Sequence, residues 1–376
     1  MLESHLMDHV IVATAQQQLR LFESPDEYRR ELARFMQIAQ AKGAELVVFP
    51  PLNGIPAASP LVGGFRVGLL RRAGRNRRRA STWSRAQRAL AGSTAGMFRA
   101  NFSRPYRELL AAQPQMVEEA YDAIFRELAQ SYSMSIVAGS AHLPASGGLV
   151  RHAATVYGPD GDQLGWHEKV VLSPSEASWV RPGEAWNAIE TPVGRLGLMF
   201  GEEIGYPEIG SWLAAQGVSL LVVLGIASDE TTMAEIRLGA IARAHENSCY
   251  VVTSFPVGTD HLADEENSGR QLVGRSGIYA PLAQTPRATG ALVEMGATST
   301  EGLLTAELDG SLLIDRAAMQ AQERAHVLAL LQSSVSLLSR IEESSLIPTG
   351  DDESGADGFE ADEPEDGAWQ GASRAG

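Results

Sequence analysis

An α/β fold is what this chain predicts, and three observations carry the reading. Apolar, β-branched runs alternate with stretches of helical period, and the chain opens in strand–helix–strand order. Its 376 residues, 44% of them hydrophobic, are enough to bury one large core. The first strand is the run Val10 to Ala15. Ser24 then serves as an N-cap, with Pro25 suited to a first helical turn. Leu32, Phe35, Met36, Ile38 and Ala39 recur at helical spacing until Gly43 stops the helix, and Leu46 to Phe49 form the next strand.

The same reading continues along the chain. Met116 to Ser131 is helical, followed by a strand from Ser135 to Gly139 and shorter runs at His152–Tyr157 and Gln163–Leu172. Strands are predicted at 196–200, 220–224, 250–253, near 272–280 and at 302–308, with helices over 207–216 and 231–246. Residues 8–310 make up the main domain. A C-terminal helix follows over 311–345, its apolar side carried by Ala318, Ala321, Val327, Leu330, Leu331, Val335 and Leu338. Residues 346–376 read as a disordered acidic tail, too polar to bury the surface that ordering requires.

Composition narrows the function classes. No apolar run reaches the ~18 residues of a membrane span, and the N-terminal residues lack the pattern of a signal peptide. One cysteine, Cys249, excludes an intrachain disulfide and suits a reducing, cytoplasmic setting. The net charge is −15, but nine acidic residues and a single arginine lie from Asp351 onward, so most of the excess belongs to the tail. Between Glu45 and Glu108 there is no acidic residue, while arginines accumulate. This stretch, about 60–107, is an insertion in which Trp83, Met97, Phe98, Phe102 and Tyr106 stand among the arginines. Residues 61–107 read as a solvated loop whose arginines cap its own helices, as a patch for the acidic tail to fold onto, or as a surface for an anionic membrane, where each basic side chain adds about 1 kcal/mol and the protein would be peripheral. No nucleic-acid-binding module accompanies the arginines, so nucleic acid is not an expected partner.

Three strand ends carry groups with chemical capacity. Val47-Val-Phe-Pro-Pro51 ends one strand, Lys169 and Glu176 sit seven residues apart after another, and Leu196 to Phe200 runs into Gly201-Glu202-Glu203 with Pro207-Glu208 behind. Together they resemble the nitrilase, or carbon–nitrogen hydrolase, superfamily. Arg237–Asn247 entering the strand at Tyr250 resembles that family's Arg-Ala-x-Glu-Asn helix, and Gly274–Pro281 its Gly-x-Ser-x-Ile-x-x-Pro strand. The resemblance implies a four-layer α-β-β-α sandwich, usually dimerised through the helices beside the nucleophile turn. It also implies a reaction in which a glutamate acts as general base, a lysine steadies an oxyanion and a cysteine forms a thioester.

The departures from the family pattern decide the functional expectation. Gly201 stands at the cysteine position, Glu203 at the aspartate two residues on, Pro51 at the general-base glutamate, and Val171 at a histidine after the lysine. Lys169 and Glu176 remain as the catalytic remnants, and Lys169, Glu176, Glu202 and Glu203 are the expected ligand-binding set. Cys249 reads as a small buried hydrophobe rather than a displaced nucleophile. The expectation is a pseudoenzyme that binds a small carbonyl or carboxylate compound or serves as an assembly partner, as a homodimer. No cofactor and no metal is expected. Two alternatives stand beside it: a hydrolase of amides, nitriles or carbamoyl compounds with rebuilt chemistry, and a membrane-surface protein acting through the insertion.

Overall fold

In the computed structural model, residues 9–62, 102–263 and 269–313 are described. The core of the arginine-rich insertion, the helix expected after residue 313 and the acidic tail lie outside them. Strands are numbered in chain order. One mixed sheet contains β1 (Val10–Gln18), β2 (Leu46–Val48), β3 (Ser135–Pro144), β4 (Val150–Tyr157), β5 (Gln163–Glu168) and β6 (Val180–Arg181), joined by β11 (Pro256–Thr259), β12 (Gln271–Leu272) and β15 (Gly302–Leu308). The second contains β7 (Ile189–Thr191), β8 (Gly194–Phe200), β9 (Leu220–Leu224), β10 (Tyr250–Ser254), β13 (Gly277–Tyr279) and β14 (Ala291–Glu294).

Strand periodicity builds the layers. Val10 and Val12 of β1 face inward with Leu46 and Val48 of β2, meeting Leu196, Leu198 and Phe200 of β8 and Leu220, Val222 and Leu224 of β9 in the core between the sheets. The alternate residues Ala13, Ala15 and Val47 turn outward, against Tyr28, Leu32, Phe35 and Met36 of α1 (Pro25–Ala41). On the far side, Met199, Leu221, Val223 and Val251 pack under helices that supply Leu213, Ile236 and Ala240. The order is helix, sheet, sheet, helix, so the expected four-layer sandwich is the architecture found.

The local expectations hold with moderate boundary shifts. Ser24 caps α1 by accepting the Glu27 N–H, and Gly43 at φ +73° follows its end. A helix, α2, begins at residue 54 and reaches 62, the end of that described segment. It is followed by α3 (Ser103–Ala112), α4 (Pro114–Tyr132), the four-residue α5 (Pro174–Ala177), α6 (Pro207–Ala215) and α7 (Glu230–Asn247). The strand expected over 163–172 stops at Glu168, because the chain turns to place Lys169. The one expected near 272–280 is two short strands, each pairing in a different sheet.

One turn positions the site. After β2 the chain reverses through Pro50 to Asn53, with Leu52 at φ +69°, and locks onto an irregularity in β3. Leu52 N donates to Ser140 Oγ at 3.0 Å, and Asn53 Nδ2 donates to the Ala138 carbonyl at 3.2 Å. Gly139, at φ +73°, allows this approach, since a Cβ there would stand 1.9 Å from the Pro50 carbonyl oxygen. Gly139→Ala is therefore expected to destabilise the protein by about 3 kcal/mol or more, through steric overlap and a left-handed backbone together. Urea unfolding checks this, and a loss under about 1 kcal/mol would show that the turn can move aside.

Candidate functional site

Lys169 is the centre of the site. It leaves β5 with its backbone pinned on both sides: its N–H donates to the His152 carbonyl at 2.8 Å, and its carbonyl accepts from Gly183 N at 2.9 Å. Only 1% exposed, it sends Nζ to Glu176 Oε2 at 2.7 Å and Glu202 Oε1 at 2.9 Å. Burial alone would push the ammonium pKa down. The Glu202 and Glu176 carboxylates outweigh it and hold the value above that of a free lysine. One positive charge thus sits between two negative ones, and the trio is net anionic.

Glu176 is fixed by the short helix that carries it. In a capping box at the start of α5, Glu176 N donates to Ser173 Oγ while Ser173 N donates to Glu176 Oε2. Oε2 also accepts from Ser173 Oγ and Lys169, and Oε1 faces His152 Nδ1 at 3.2 Å. Burial works to raise its pKa, but bonds from His152 and Lys169 hold it well below the usual carboxylate range.

A buried polar line extends from Glu176 to the Leu52 turn. His152 Nε2 lies 2.7 Å from Ser140 Oγ. The Glu176 carboxylate can only accept, so the ring proton sits on Nδ1, facing Glu176, and Nε2 accepts the Ser140 hydroxyl proton while Ser140 Oγ accepts from Leu52 N. Ser140, His152 and Glu176 thus stand in the order nucleophile, base and acid. Ser140 is completely buried, however, and its oxygen already holds the Leu52 N–H, so the line clamps the turn. Beside it, His142 stacks on His152 with ring centroids 4.4 Å apart and packs against Trp179. Its Nδ1 is 3.3 Å from the Tyr106 hydroxyl.

The two glutamates after Gly201 have different environments. Glu202 keeps 41% of its side chain exposed and touches Lys169. Glu203 is fully buried: it accepts from Phe200 N at 2.9 Å and Val170 N at 2.7 Å, and lies 3.0 Å from His167 Nε2. Desolvation would raise its pKa, but the His167 and backbone contacts lower it. Glu202 therefore faces the site, whereas Glu203 ties the turn after β8 to the residues after β5. Of the expected set, Lys169, Glu176 and Glu202 come together, and Glu203 holds their frame.

Gly201 and Pro51 are both buried. A Cβ on Gly201 would lie 2.9 Å from Ile236 Cδ1 and 3.4 Å from the Gly225 backbone, so that space is largely taken. Cys249 does not substitute. It is 2% exposed, at the start of β10, where Tyr250 pairs with Leu220 and Leu220 with Leu196. Gly201 follows Phe200 at the other end of that register, on the order of 20 Å away at a strand's rise per residue.

Sequence reading did not single out Ser140, His142 or His152, and it placed Tyr106 among the aromatics of the insertion, whereas the structure buries that residue completely. The available signal was the placement of polar residues inside apolar strand runs, which the structure resolves as a cross-strand pairing of His142 with His152.

Comparisons with known proteins follow the same lines. A family model described as carbon-nitrogen hydrolase matches residues 11–317. A 165-residue match, 28% identical, to a Bacillus subtilis protein named Probable hydrolase YhcX spans 43% of this chain and 31% of that protein. Omega-amidase NIT2 of Danio rerio is 27% identical over 202 residues, 51% of this chain and 67% of that protein. Deaminated glutathione amidase of Synechocystis is 26% identical over 174 residues, 43% of this chain and 64% of that protein. Among solved structures, a carbon-nitrogen hydrolase from Helicobacter pylori G27 aligns with TM-score 0.61 and 20% identity, over 84% of this chain and 94% of that one. An amidase from Nesterenkonia sp. aligns with TM-score 0.56 and 21% identity, over 84% and 96%.

Proposed function

This chain belongs to the carbon–nitrogen hydrolase family, and we propose that it acts there by binding a small carbonyl compound, or as an assembly partner, without thioester chemistry. The observation that carries the reading is the end of β8, where Gly201 supplies no nucleophile and the chain's only cysteine lies at the opposite end of the sheet. A mutant of the Nesterenkonia amidase, which shares this fold, has been seen with the acetamide moiety of fluoroacetamide added covalently at its active site cysteine. Nothing equivalent stands at Gly201, and Pro51 cannot accept a proton.

The remaining charges narrow the ligand. An ammonium has three N–H donors, and Glu176 and Glu202 take two. The third suits a carbonyl oxygen. Since the trio is already net anionic, a neutral amide or other uncharged carbonyl fits better than a carboxylate. Assembly has separate support: Tyr206, Trp212 and Leu238, on α6, α7 and the turn before them, are each at least half exposed. Among the described residues no helix is long and apolar enough to cross a membrane.

Hydrolysis by rebuilt chemistry is the second reading. It rests on Glu202, a solvent-facing carboxylate beside a buried lysine, which can take a proton from water. Ammonia release and ligand-induced thermal shift over a panel of amides, nitriles, carbamoyl compounds and carboxylates separate the two. Binding of neutral amides with no ammonia is the expected result. Turnover that disappears in Glu202→Gln would overturn it in favour of hydrolysis.

A further inference from the structure

Buried polar atoms almost always have a hydrogen-bond partner, and an exception calls for an explanation such as an ion. His142 is 1% exposed, yet its Nε2 has no hydrogen-bond partner among the described residues. It lies in a cluster of donors: a ring nitrogen of His142, one of His152 and a carboxylate oxygen of Glu176 are all within 4.8 Å of one another. We propose that His142, His152 and Glu176 form a three-ligand site for a divalent cation of the zinc type, with a further coordination position open to water or a ligand.

Geometry and outer contacts both support the assignment. Two donors on a tetrahedral zinc, with bonds of about 2.0–2.1 Å, stand roughly 3.3 Å apart. His152 Nδ1 and Glu176 Oε1 are already at 3.2 Å. The third donor, a ring nitrogen of His142, lies within 4.8 Å of both, and its ring has to tilt out of its stack on His152 to point at the ion.

Metal-binding imidazoles and carboxylates are usually held through their other polar atom, which fixes the ring or carboxyl group and frees one donor. That pattern is present three times. Tyr106 holds His142 at Nδ1, Ser140 holds His152 at Nε2, and Lys169 with Ser173 holds Glu176 at Oε2. What remains is Nε2 of His142, Nδ1 of His152 and Oε1 of Glu176.

Charge and proton balance also allow it. Lys169 with Glu176 and Glu202 leaves one net negative charge beside two imidazoles, with the Arg107 guanidinium a further cation acting on His142. On binding, the His152 ring proton moves from Nδ1 to Nε2, and Ser140 Oγ changes from donor to acceptor. Two nitrogens and one oxygen with an open position is a donor set that zinc takes. This inference replaces the sequence expectation of no metal and does not depend on the ligand proposed above.

Cobalt(II) titrated into tag-free, chelator-treated full-length protein tests it. The expected result is one equivalent bound with the intense visible bands of four- or five-coordinate nitrogen-ligated cobalt, bleached by zinc. His142→Phe keeps the aromatic stack and should abolish the bands with the fold intact by circular dichroism. Tyr106→Phe should weaken binding about 10–100-fold by releasing His142 Nδ1. Absence of the bands in wild type, or their survival unchanged in folded His142→Phe, would overturn the site. If His142→Phe fails to fold, the Tyr106→Phe affinity decides instead, an unchanged value counting against the site.

Discussion

Lys169→Ala is expected to cost roughly 3–5 kcal/mol of folding stability, the range seen when one partner of a buried ion pair is removed. The loss comes chiefly from Glu176, which would keep its charge in a mostly buried place without the ammonium that balances it. Glu202 contributes less, because its carboxylate reaches water. Glu202→Gln removes one exposed charge and should change stability by about 1 kcal/mol or less. Urea unfolding of wild type and both variants checks this, provided the denaturant slope is unchanged. If Lys169→Ala loses under about 1 kcal/mol, the trio is not a structural element and Glu176 must relax toward solvent. The result bears on function. A dead Lys169→Ala would speak first to folding, so Glu202→Gln is the better probe of chemistry.

Much of the fold was legible because layer identity follows from strand periodicity. Val10, Val12 and Ala13, Ala15 divide cleanly between two cores, and Ser24 and Gly43 bracket α1 as their chemistry dictates. The remnant residues were legible for a different reason: Lys169 and Gly201 follow strand ends and Glu176 lies on the short helix just after Lys169, so each motif is short and contiguous. The different surroundings of Glu202 and Glu203 were not legible, since adjacent carboxylates look alike until the 3₁₀ turn sends one inward. The histidine line was not legible at all. Ser140, His152 and Glu176 are contributed by three elements, and the Leu52 N–H that Ser140 holds belongs to a fourth. Such a network is a property of register between β3 and β4, not of any one segment.

The metal-free protein is expected to lose stability steeply as pH falls below about 6.5. Burial, and repulsion from a charged His152, hold His142 well below an ordinary histidine, while burial lowers His152 despite the partial offset from Glu176. Both rings therefore stay neutral in the folded state at pH values where the unfolded chain takes up protons. Stability rises with pH wherever the unfolded state binds more protons, so it must fall on acidification from the unfolded histidine value of about 6.5. Each ring contributes up to about 1.4 kcal/mol per pH unit, and the pair up to about 2.7. Below about pH 4.3 the lowered carboxyls of Glu176 and Glu203 act in the same direction, because their stabilisation is lost as acid protonates them. Lys169 behaves oppositely: its raised value keeps its contribution through neutral pH and loses it only in strong base. Between pH 6.5 and 5 the histidine pair can remove up to about 4 kcal/mol, a large share of the roughly 5–15 kcal/mol of a typical protein. Urea midpoints between pH 8 and 5, in chelator, measure the slope, and His142→Phe should reduce it by about half. A flat profile from pH 7 to 5 would mean that both rings take up protons in the folded protein as readily as in the unfolded chain.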